Sequence, residues 1–190
     1  MERKKIILAI TGKPGAGKGT AVEIIKKELK NKKVETIRFS DSLTEALGIF
    51  LPSEKIGRAD YQWFAPSMRE RFGGDFLAKA VEKKLKSLDY EVAVLDGVRV
   101  AGDEEMIRRN EGFLIFVDAP LEVRWSRSNQ RKEKSDDLVS LEKFRELDKG
   151  QTELEIEAIG ARADFKITNL GSLEDFKAEI AKVLKMIFKD

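Results

Sequence analysis

The chain contains no cysteine and no histidine among its 190 residues. Without cysteine it can form neither disulfides nor thiolate metal sites, and without histidine it lacks the commonest general base and metal ligand. Any chemistry must therefore use carboxylates, lysine, arginine, hydroxyl groups, the backbone and a bound ion such as Mg²⁺.

An excess of one charge is also missing, since 36 Lys and Arg residues face 34 Asp and Glu residues. Balanced charge gives no reason to expect a nucleic-acid partner. No apolar run is long enough to span a membrane, and the short basic start lacks the pattern of a signal peptide. We therefore expect a cytoplasmic protein that binds neither membranes nor nucleic acid, folded as one domain over residues 1–190.

A glycine-rich stretch lies between a predicted strand at residues 6–10 and a predicted amphipathic helix at residues 21–29. Glycines at such a turn let backbone N–H groups and the positive end of the helix face phosphate oxygens, and Lys18 adds a charge beside the β- and γ-phosphates. Lys18 is thus also a candidate catalytic residue. The residues predicted to bind nucleotide phosphates are Gly12, Pro14, Gly15, Ala16, Gly17, Lys18, Gly19 and Thr20.

Two aspartates end apolar strands and compete for the place beside this loop. The third predicted strand, residues 91–95, runs into Asp96, and the fourth runs into Asp118. A carboxylate there can hold a Mg²⁺-bound water or accept a proton from the acceptor. We favour Asp96 as the catalytic and metal-associated residue, because a glycine and Arg99 follow it, whereas a proline that starts a helix follows Asp118.

Residues 43–88 contain no convincing strand and are too long for a simple crossover. Glycines and prolines, including Pro66, divide the segment into short helical pieces, so we predict an inserted helical region that binds the acceptor. Arginines, an amide and aromatic rings beside a phosphate loop suit a monophosphate and its base. The alternative for any single arginine is that it faces solvent. The alternative for Asp41 is that it caps a helix. The candidate acceptor-binding residues are Asp41, Arg58, Gln62, Arg69 and Arg99.

The helix that begins at Leu121 carries Arg124, Arg127 and Arg131 on one face. This face is either a solvated basic surface or part of a lid, at about residues 127–140, that closes on ATP. In the lid interpretation Arg127 and Arg131 are candidate catalytic residues. A fifth strand at residues 163–169 and a final helix complete the chain.

The loop PGAGKGT resembles that of adenylate kinase, and the whole chain resembles the nucleoside-monophosphate-kinase-like group of P-loop kinases. The ending ADFKITNLGSLEDF is similar to that of dephospho-CoA kinase. Together with DGVR and SDDLVSLEKF, it also resembles an archaeal family of dephospho-CoA-kinase-like proteins. The stretches DYQWFAPSMRERFGGDFL and LDGVRVAGDEEMIRRNEG instead resemble phage-type deoxynucleoside monophosphate kinases. The acceptor therefore stays open at this point.

This resemblance implies an α/β fold of the P-loop NTPase type, with a five-stranded parallel sheet of order 2-3-1-4-5. It also implies ATP and Mg²⁺ as cofactors, with Thr20 near the ion and the turn at Asn169 near adenine. It places Arg127 and Arg131 at the lid. It places Arg58, Arg69 and Arg99 at the acceptor phosphate. Adenylate kinases have an arginine shortly after the second strand, whereas residues 41–45 contain none, which argues against AMP as the acceptor.

We therefore expect Mg²⁺-dependent transfer of the γ-phosphoryl group of ATP to a small phosphate-bearing molecule. A nucleoside or deoxynucleoside monophosphate is favoured, and dephospho-CoA is the alternative. A second alternative, from another class, is a regulatory protein that hydrolyses nucleotide slowly and phosphorylates nothing.

Overall fold

A parallel five-stranded sheet forms the centre of the protein, in the order β2-β3-β1-β4-β5. The computed structural model describes residues 5–131 and 139–189. The strands are β1 (Ile6–Thr11), β2 (Val34–Arg38), β3 (Val92–Val98), β4 (Phe113–Asp118) and β5 (Phe165–Thr168). The predicted α/β class and strand order are confirmed.

Helices connect the strands and cover both faces of the sheet. In the two described ranges they are α1 (Lys18–Glu28), α2 (Asp41–Gly48), α3 (Arg58–Phe72), α4 (Phe76–Ser87), α5 (Ala101–Arg109), α6 (Leu121–Arg131), α7 (Leu141–Leu147), α8 (Gln151–Ala161) and α9 (Leu173–Ile187). A single 3-10 turn, Ser53–Lys55, precedes α3. None of these helices combines the length and apolar character needed to cross a membrane.

The central strand β1 is buried on both sides, which explains its continuous apolar sequence. Leu8 and Ile10 pack into a core that α1 and α9 complete. Ile7 and Ala9 pack into the opposite core, which α4, α5 and α8 complete. The result is a sheet between two helical layers, with all strands ending at one edge.

The third strand continues past Asp96, where the sequence predicted that it would end. Ile10 of β1 pairs with Asp96, but Thr11 pairs with Val98, so the register shifts at Gly97. The Thr11 hydroxyl donates a hydrogen bond to the Val98 carbonyl at 2.9 Å. This irregularity fixes the end of β3 against the end of β1 and keeps Asp96 at the sheet edge.

The segment between β2 and β3 is helical, as predicted, but Pro66 does not divide it. Pro66 lies inside α3, which runs unbroken from Arg58 to Phe72. Position 66 is exposed, so the proline ring has room, and the carbonyl that loses its amide partner can bind water. The prediction of a break at Pro66 was wrong because an exposed proline costs a helix one hydrogen bond without ending it.

Candidate functional site

The glycine-rich loop joins β1 to α1 at the carboxyl edge of the sheet, and Gly15 and Gly17, like Gly12, are enforced by their surroundings. Gly15 and Gly17 have φ angles of +79° and +105°. A Cβ atom at Gly15 would lie 2.4 Å from the Arg124 carbonyl oxygen, and one at Gly17 would lie 2.4 Å from Nδ2 of Asn169. The loop is therefore held tightly against α6 and against the turn after β5.

The loop ends at the amino terminus of α1, whose first residue is Lys18. The Lys18 ammonium donates hydrogen bonds to the carbonyls of Gly12 at 2.7 Å and Lys13 at 3.2 Å. The N-cap residue of α1 is Gly17, which has no side chain to cap the helix, and the N–H groups of the first turn point toward the sheet edge, as an anion site requires. Gly19 and Thr20 are exposed there, and a Cβ atom at Gly19 would enter space that the rest of the described chain leaves open.

Asp118 ends β4 and Asp96 lies two residues before the end of β3; the two strands are separated by β1, and the two carboxylates face opposite sides of the sheet. Asp96 shares its side with Val94, whose side chain packs in the core that includes α1. The Asp118 carboxylate instead lies 3.8 Å from the ammonium of Lys166 on β5, which also lies over the ring of Phe116. Of the two carboxylates, Asp96 is the one on the face covered by α1.

Arg38 is a site residue that the sequence interpretation missed. It ends β2, pairs in register with Asp96, and its Nε lies 3.5 Å from the Asp96 carboxylate while its side chain is 65% exposed. The sequence signal that could have identified Arg38 was a basic residue at the end of a strand in which polar and apolar residues alternate. The predicted acceptor residue Asp41 accepts a hydrogen bond from the Arg38 main-chain N–H at 3.1 Å, so it holds the start of α2.

Arg69 of the insert meets the loop that follows β3. It lines a cavity of about 400 Å³ between the end of α3, the start of α5 and α8. The residues that line it are Arg69, Gly74, Asp75, Val100, Ala101, Gly102, Glu105 and Glu155. Arg69 and a second predicted acceptor residue, Arg99, both lie close enough to Asp103 for their positive charges to lower the pKa of its carboxyl group.

Asp103 organises this loop from inside the protein. It is 2% exposed, and its Oδ2 accepts hydrogen bonds from the main-chain N–H groups of Arg99 at 3.0 Å and Val100 at 3.3 Å. Its Oδ1 is buried and has no hydrogen-bond partner among the described residues. Burial raises the pKa of Asp103 to about 6, although the two N–H groups and the nearby arginines oppose the rise.

An apolar groove of about 400 Å³ lies on the other side of α3, between α2, α3 and α4. Phe64, Met68 and Phe72 contribute from α3, while Phe76 and Leu77 contribute from α4. Trp63, by contrast, is 67% exposed and lies outside this groove. Of the aromatic residues in the insert, those at 64, 72 and 76 are therefore the ones that form an apolar cavity.

Two predicted nucleotide-site residues, Arg127 and Asn169, contact each other at the phosphate loop. The guanidinium of Arg127 donates to the Asn169 main-chain carbonyl at 3.2 Å and to its Oδ1 at 3.3 Å. Asn169 is 7% exposed, and its Nδ2 donates to the Ala16 carbonyl at 2.9 Å. Both polar atoms of the Asn169 amide group are therefore used in contacts with the loop and with Arg127, and the turn after β5 packs against the loop through this amide.

Arg124 does not belong to a solvated or lid surface, although its spacing grouped it with Arg127 and Arg131. It is 3% exposed, and its guanidinium binds the Asp148 carboxylate and the Ala119 carbonyl. The side chains of Arg58, Gln62 and Arg131, together with residues 132–138 of the predicted lid, lie outside the part of the chain that the structure describes.

This fold and this loop define the class: a P-loop protein with the kinase-like strand order 2-3-1-4-5. A family model described as an AAA domain matches residues 8–149. A UPF0200 protein of Sulfurisphaera tokodaii is 32% identical over 182 residues, which cover 95% of this chain and 97% of that protein. The chain therefore belongs to the AAA-domain family of that model and to the UPF0200 family.

Further comparisons extend the family relationship and the fold. A UPF0200/UPF0201 protein of Archaeoglobus fulgidus is 32% identical over 97% of this chain, which spans 56% of that relative's length. The structure of TT1252 from Thermus thermophilus matches with a TM-score of 0.63 at 20% identity, covering 98% of this chain and 100% of that one. Shikimate kinase from Acinetobacter baumannii matches with a TM-score of 0.60 at 20% identity, covering 97% and 94%. These two structures share the fold.

Proposed function

We propose that the protein transfers the γ-phosphoryl group of ATP to a small phosphate-bearing acceptor, with a nucleoside or deoxynucleoside monophosphate as the favoured class. The observation that carries the proposal is the convergence of three elements at one sheet edge. Lys18 and the amino terminus of α1 face this edge, Asp96 lies there two residues before the end of β3, and Arg38 lies beside Asp96. In this proposal residues 1–190 form one kinase domain, with residues 43–88 as its acceptor-binding part and 127–140 as its lid.

The residues at this edge fit ATP with Mg²⁺. Among the described residues no group of three or more acidic side chains could hold a metal ion alone, so the ion would draw on phosphate oxygens and water. Mg²⁺ binds in this way, through one or two protein oxygens plus substrate phosphates. Thr20 and Asp96 are the residues that would hold it, directly or through water. When bound, the ion neutralises charge on the β- and γ-phosphates.

The chain's own residues would supply positioning and charge. The Lys18 ammonium, now bonded to two loop carbonyls, would exchange them for phosphate oxygens. A monophosphate acceptor is already anionic, so in-line placement would suffice and Asp96 would not have to remove a proton. A hydroxyl acceptor such as dephospho-CoA would require Asp96 as a general base.

The residues around α3 are the candidates for binding a nucleotide acceptor. Arg69 lines the first cavity, but so do the carboxylates of Asp75, Glu105 and Glu155, so an acceptor phosphate would need Arg38 and Arg99 as well as Arg69 to offset them. The groove on the other side offers Phe64 and Phe72 to a flat apolar base. Because α3 lies between the two cavities, one nucleotide does not fill both, and the preference for a nucleoside monophosphate over a long pantetheine chain rests on the arginines and the aromatic side chains that the insert provides.

The test is ADP formation from ATP and Mg²⁺, measured with no acceptor, with each nucleoside and deoxynucleoside monophosphate, and with dephospho-CoA. We expect a monophosphate to stimulate ADP formation more than dephospho-CoA does, and Lys18→Ala protein measures the contaminating activity. Stimulation by dephospho-CoA alone would refute the nucleotide acceptor. ADP formation that no acceptor changes would instead support a regulatory nucleotide hydrolase.

A further inference from the structure

Asp148 joins three elements at the phosphate loop through one carboxylate. It follows the last residue of α7, and its side chain is 12% exposed. Oδ1 accepts a hydrogen bond from Nη1 of Arg124 at 2.6 Å, and Oδ2 accepts from Nη2 at 2.9 Å and from the Lys13 ammonium at 3.2 Å. A single side chain thus connects α7, α6 and the loop.

Arg124 carries this connection to the loop backbone. Its Nη1 also donates to the Pro14 carbonyl at 3.4 Å, and its Nε donates to the Ala119 carbonyl at 2.9 Å. The backbone of Arg124 is the surface against which Gly15 packs. Because the planar guanidinium binds the Asp148 carboxylate on one side and the Pro14 carbonyl on the other, it fixes the distance between Asp148 and the backbone of the loop.

Lys13 makes the second connection. Its ammonium donates to Glu157 at 3.0 Å as well as to Asp148, and its side chain is 13% exposed. Burial alone would lower the pKa of Lys13, but the hydrogen bonds to Glu157 and Asp148 raise it. Its main-chain carbonyl accepts the Lys18 ammonium at 3.2 Å. Anchoring the Lys13 side chain therefore also anchors the carbonyl that holds the phosphate-binding lysine.

The charges around Asp148 balance within the cluster. Arg124 and Lys13 supply two positive charges, and Asp148 and Glu157 supply two negative ones. Burial alone would raise the pKa of Asp148, but Arg124 and Lys13 hold it below its usual value. Lys13 is thus neutralised by carboxylates, although it lies in the loop.

We propose that Asp148 is a positioning residue for the ATP phosphates. Through Arg124 and Lys13 it holds the backbone of residues 13–15, so that the loop N–H groups and Lys18 are already aligned when nucleotide arrives. The expected effect of Asp148 on turnover rests on the proposed function, but the effect of Asp148 on nucleotide binding can be measured without it. A buried ion pair is weak evidence of a role in stability, whereas preorganisation of the loop predicts a specific change in nucleotide affinity.

The variant Asp148→Asn tests the proposal, because it keeps the size of the side chain but removes its charge and one acceptor oxygen. We expect the Kd for ADP, measured by isothermal titration calorimetry, to rise about tenfold, which is the loss of roughly one charge-assisted hydrogen bond. The KM for ATP should rise by a similar factor. The KM for the acceptor and kcat at saturating ATP should stay within about threefold of the wild-type values.

Asp164→Asn is the matched control. Asp164 also accepts from an arginine, Arg108, and from a main-chain N–H, that of Leu114, but it precedes β5 and so lies at the amino edge of the sheet. Its loss should lower the melting temperature while leaving the Kd for ADP within about twofold of the wild-type value. The pair of variants separates loss of stability from loss of loop positioning.

Two results overturn the proposal: a Kd for ADP that Asp148→Asn leaves within about twofold of wild type, or an equal change in Asp164→Asn. If Asp148→Asn does not fold, Glu157→Gln replaces it, since Glu157 is 64% exposed. It should weaken ADP binding by about threefold, and an affinity within about twofold of wild type there would overturn the proposal. Wild-type protein that binds ADP but phosphorylates no acceptor would refute the proposed function while the ADP affinities still decide the role of Asp148.

Discussion

The contact between Asn169 and the phosphate loop allows a sharp prediction for the variant Asn169→Asp. The Asn169 amide donates to the Ala16 carbonyl at 2.9 Å from a buried position. Aspartate has the same shape but no N–H, so it places an oxygen where the amide nitrogen stood. The neighbouring Arg127 keeps an acceptor in either case, because it binds the other oxygen and the main-chain carbonyl.

The expected magnitude follows from the carbonyl that loses its donor. A buried acceptor left without a partner costs about 1–3 kcal/mol, and repulsion between the two oxygens adds to this cost. Ala16 and Gly17 must move to relieve the repulsion, and both belong to the loop that would bind phosphates. We therefore expect ADP to bind at least about tenfold more weakly, which corresponds to roughly 1.4 kcal/mol.

The assay is the Kd for ADP by calorimetry, with Asn110→Asp as the matched control. The Asn110 amide donates to the Met106 carbonyl at 2.8 Å, at the opposite edge of the sheet from the loop. This variant loses a hydrogen bond of the same kind and sets its carboxylate against that of Glu82, to which Nδ2 also donates at 3.4 Å, so it should be destabilised yet bind ADP normally. Unchanged ADP affinity in Asn169→Asp, or an equal loss in Asn110→Asp, would refute the assignment of Asn169 to loop support.

Three further predictions test other parts of the site. Lys18→Ala should lower turnover on the order of 10²- to 10³-fold with a melting temperature within a few degrees of wild type, and a fall of tens of degrees would make Lys18 structural. Arg69→Ala should raise the acceptor KM or lower turnover by about tenfold, and unchanged kinetics would remove Arg69 from the acceptor site. Asp103→Asn should stabilise the fold above about pH 6 by on the order of 2–3 kcal/mol but not near pH 4, measured by urea unfolding. Because the pKa of Asp103 is raised, the folded protein keeps a proton there that the unfolded chain releases. The stability of the wild-type protein therefore falls as the pH rises from about 4 to about 6. Parallel pH profiles of unfolding free energy for the two proteins would contradict this.

The fold was predictable because its signals are local and strong. The apolar run at β1 has to be buried on both faces, and the glycine-rich turn that leads into α1 is recognisable without any tertiary information. The final helix was equally clear, and the structure gives it an N-cap in Ser172, which accepts a hydrogen bond from the Asp175 N–H. The break predicted at Pro66 failed because propensity alone does not reveal whether a proline ring has room outside its helix.

The candidate site was predictable only where one motif contained it. Spacing grouped Arg124 with Arg127, but burial against Asp148, 24 residues further on, decides what Arg124 does. Arg38 was missed because its importance comes from register with Asp96 on a neighbouring strand, which no linear pattern displays. Contacts between distant segments of the chain determine both roles.

The most direct test of the central claim is transfer of label from [γ-³²P]ATP to a nucleoside or deoxynucleoside monophosphate, with product separated from ATP and inorganic phosphate. Wild-type protein is compared with Lys18→Ala, each with Mg²⁺ and with excess chelator. We predict a labelled nucleoside diphosphate that forms only with wild-type protein and Mg²⁺. Label that appears solely in inorganic phosphate, or transfer that survives Lys18→Ala, would contradict the account.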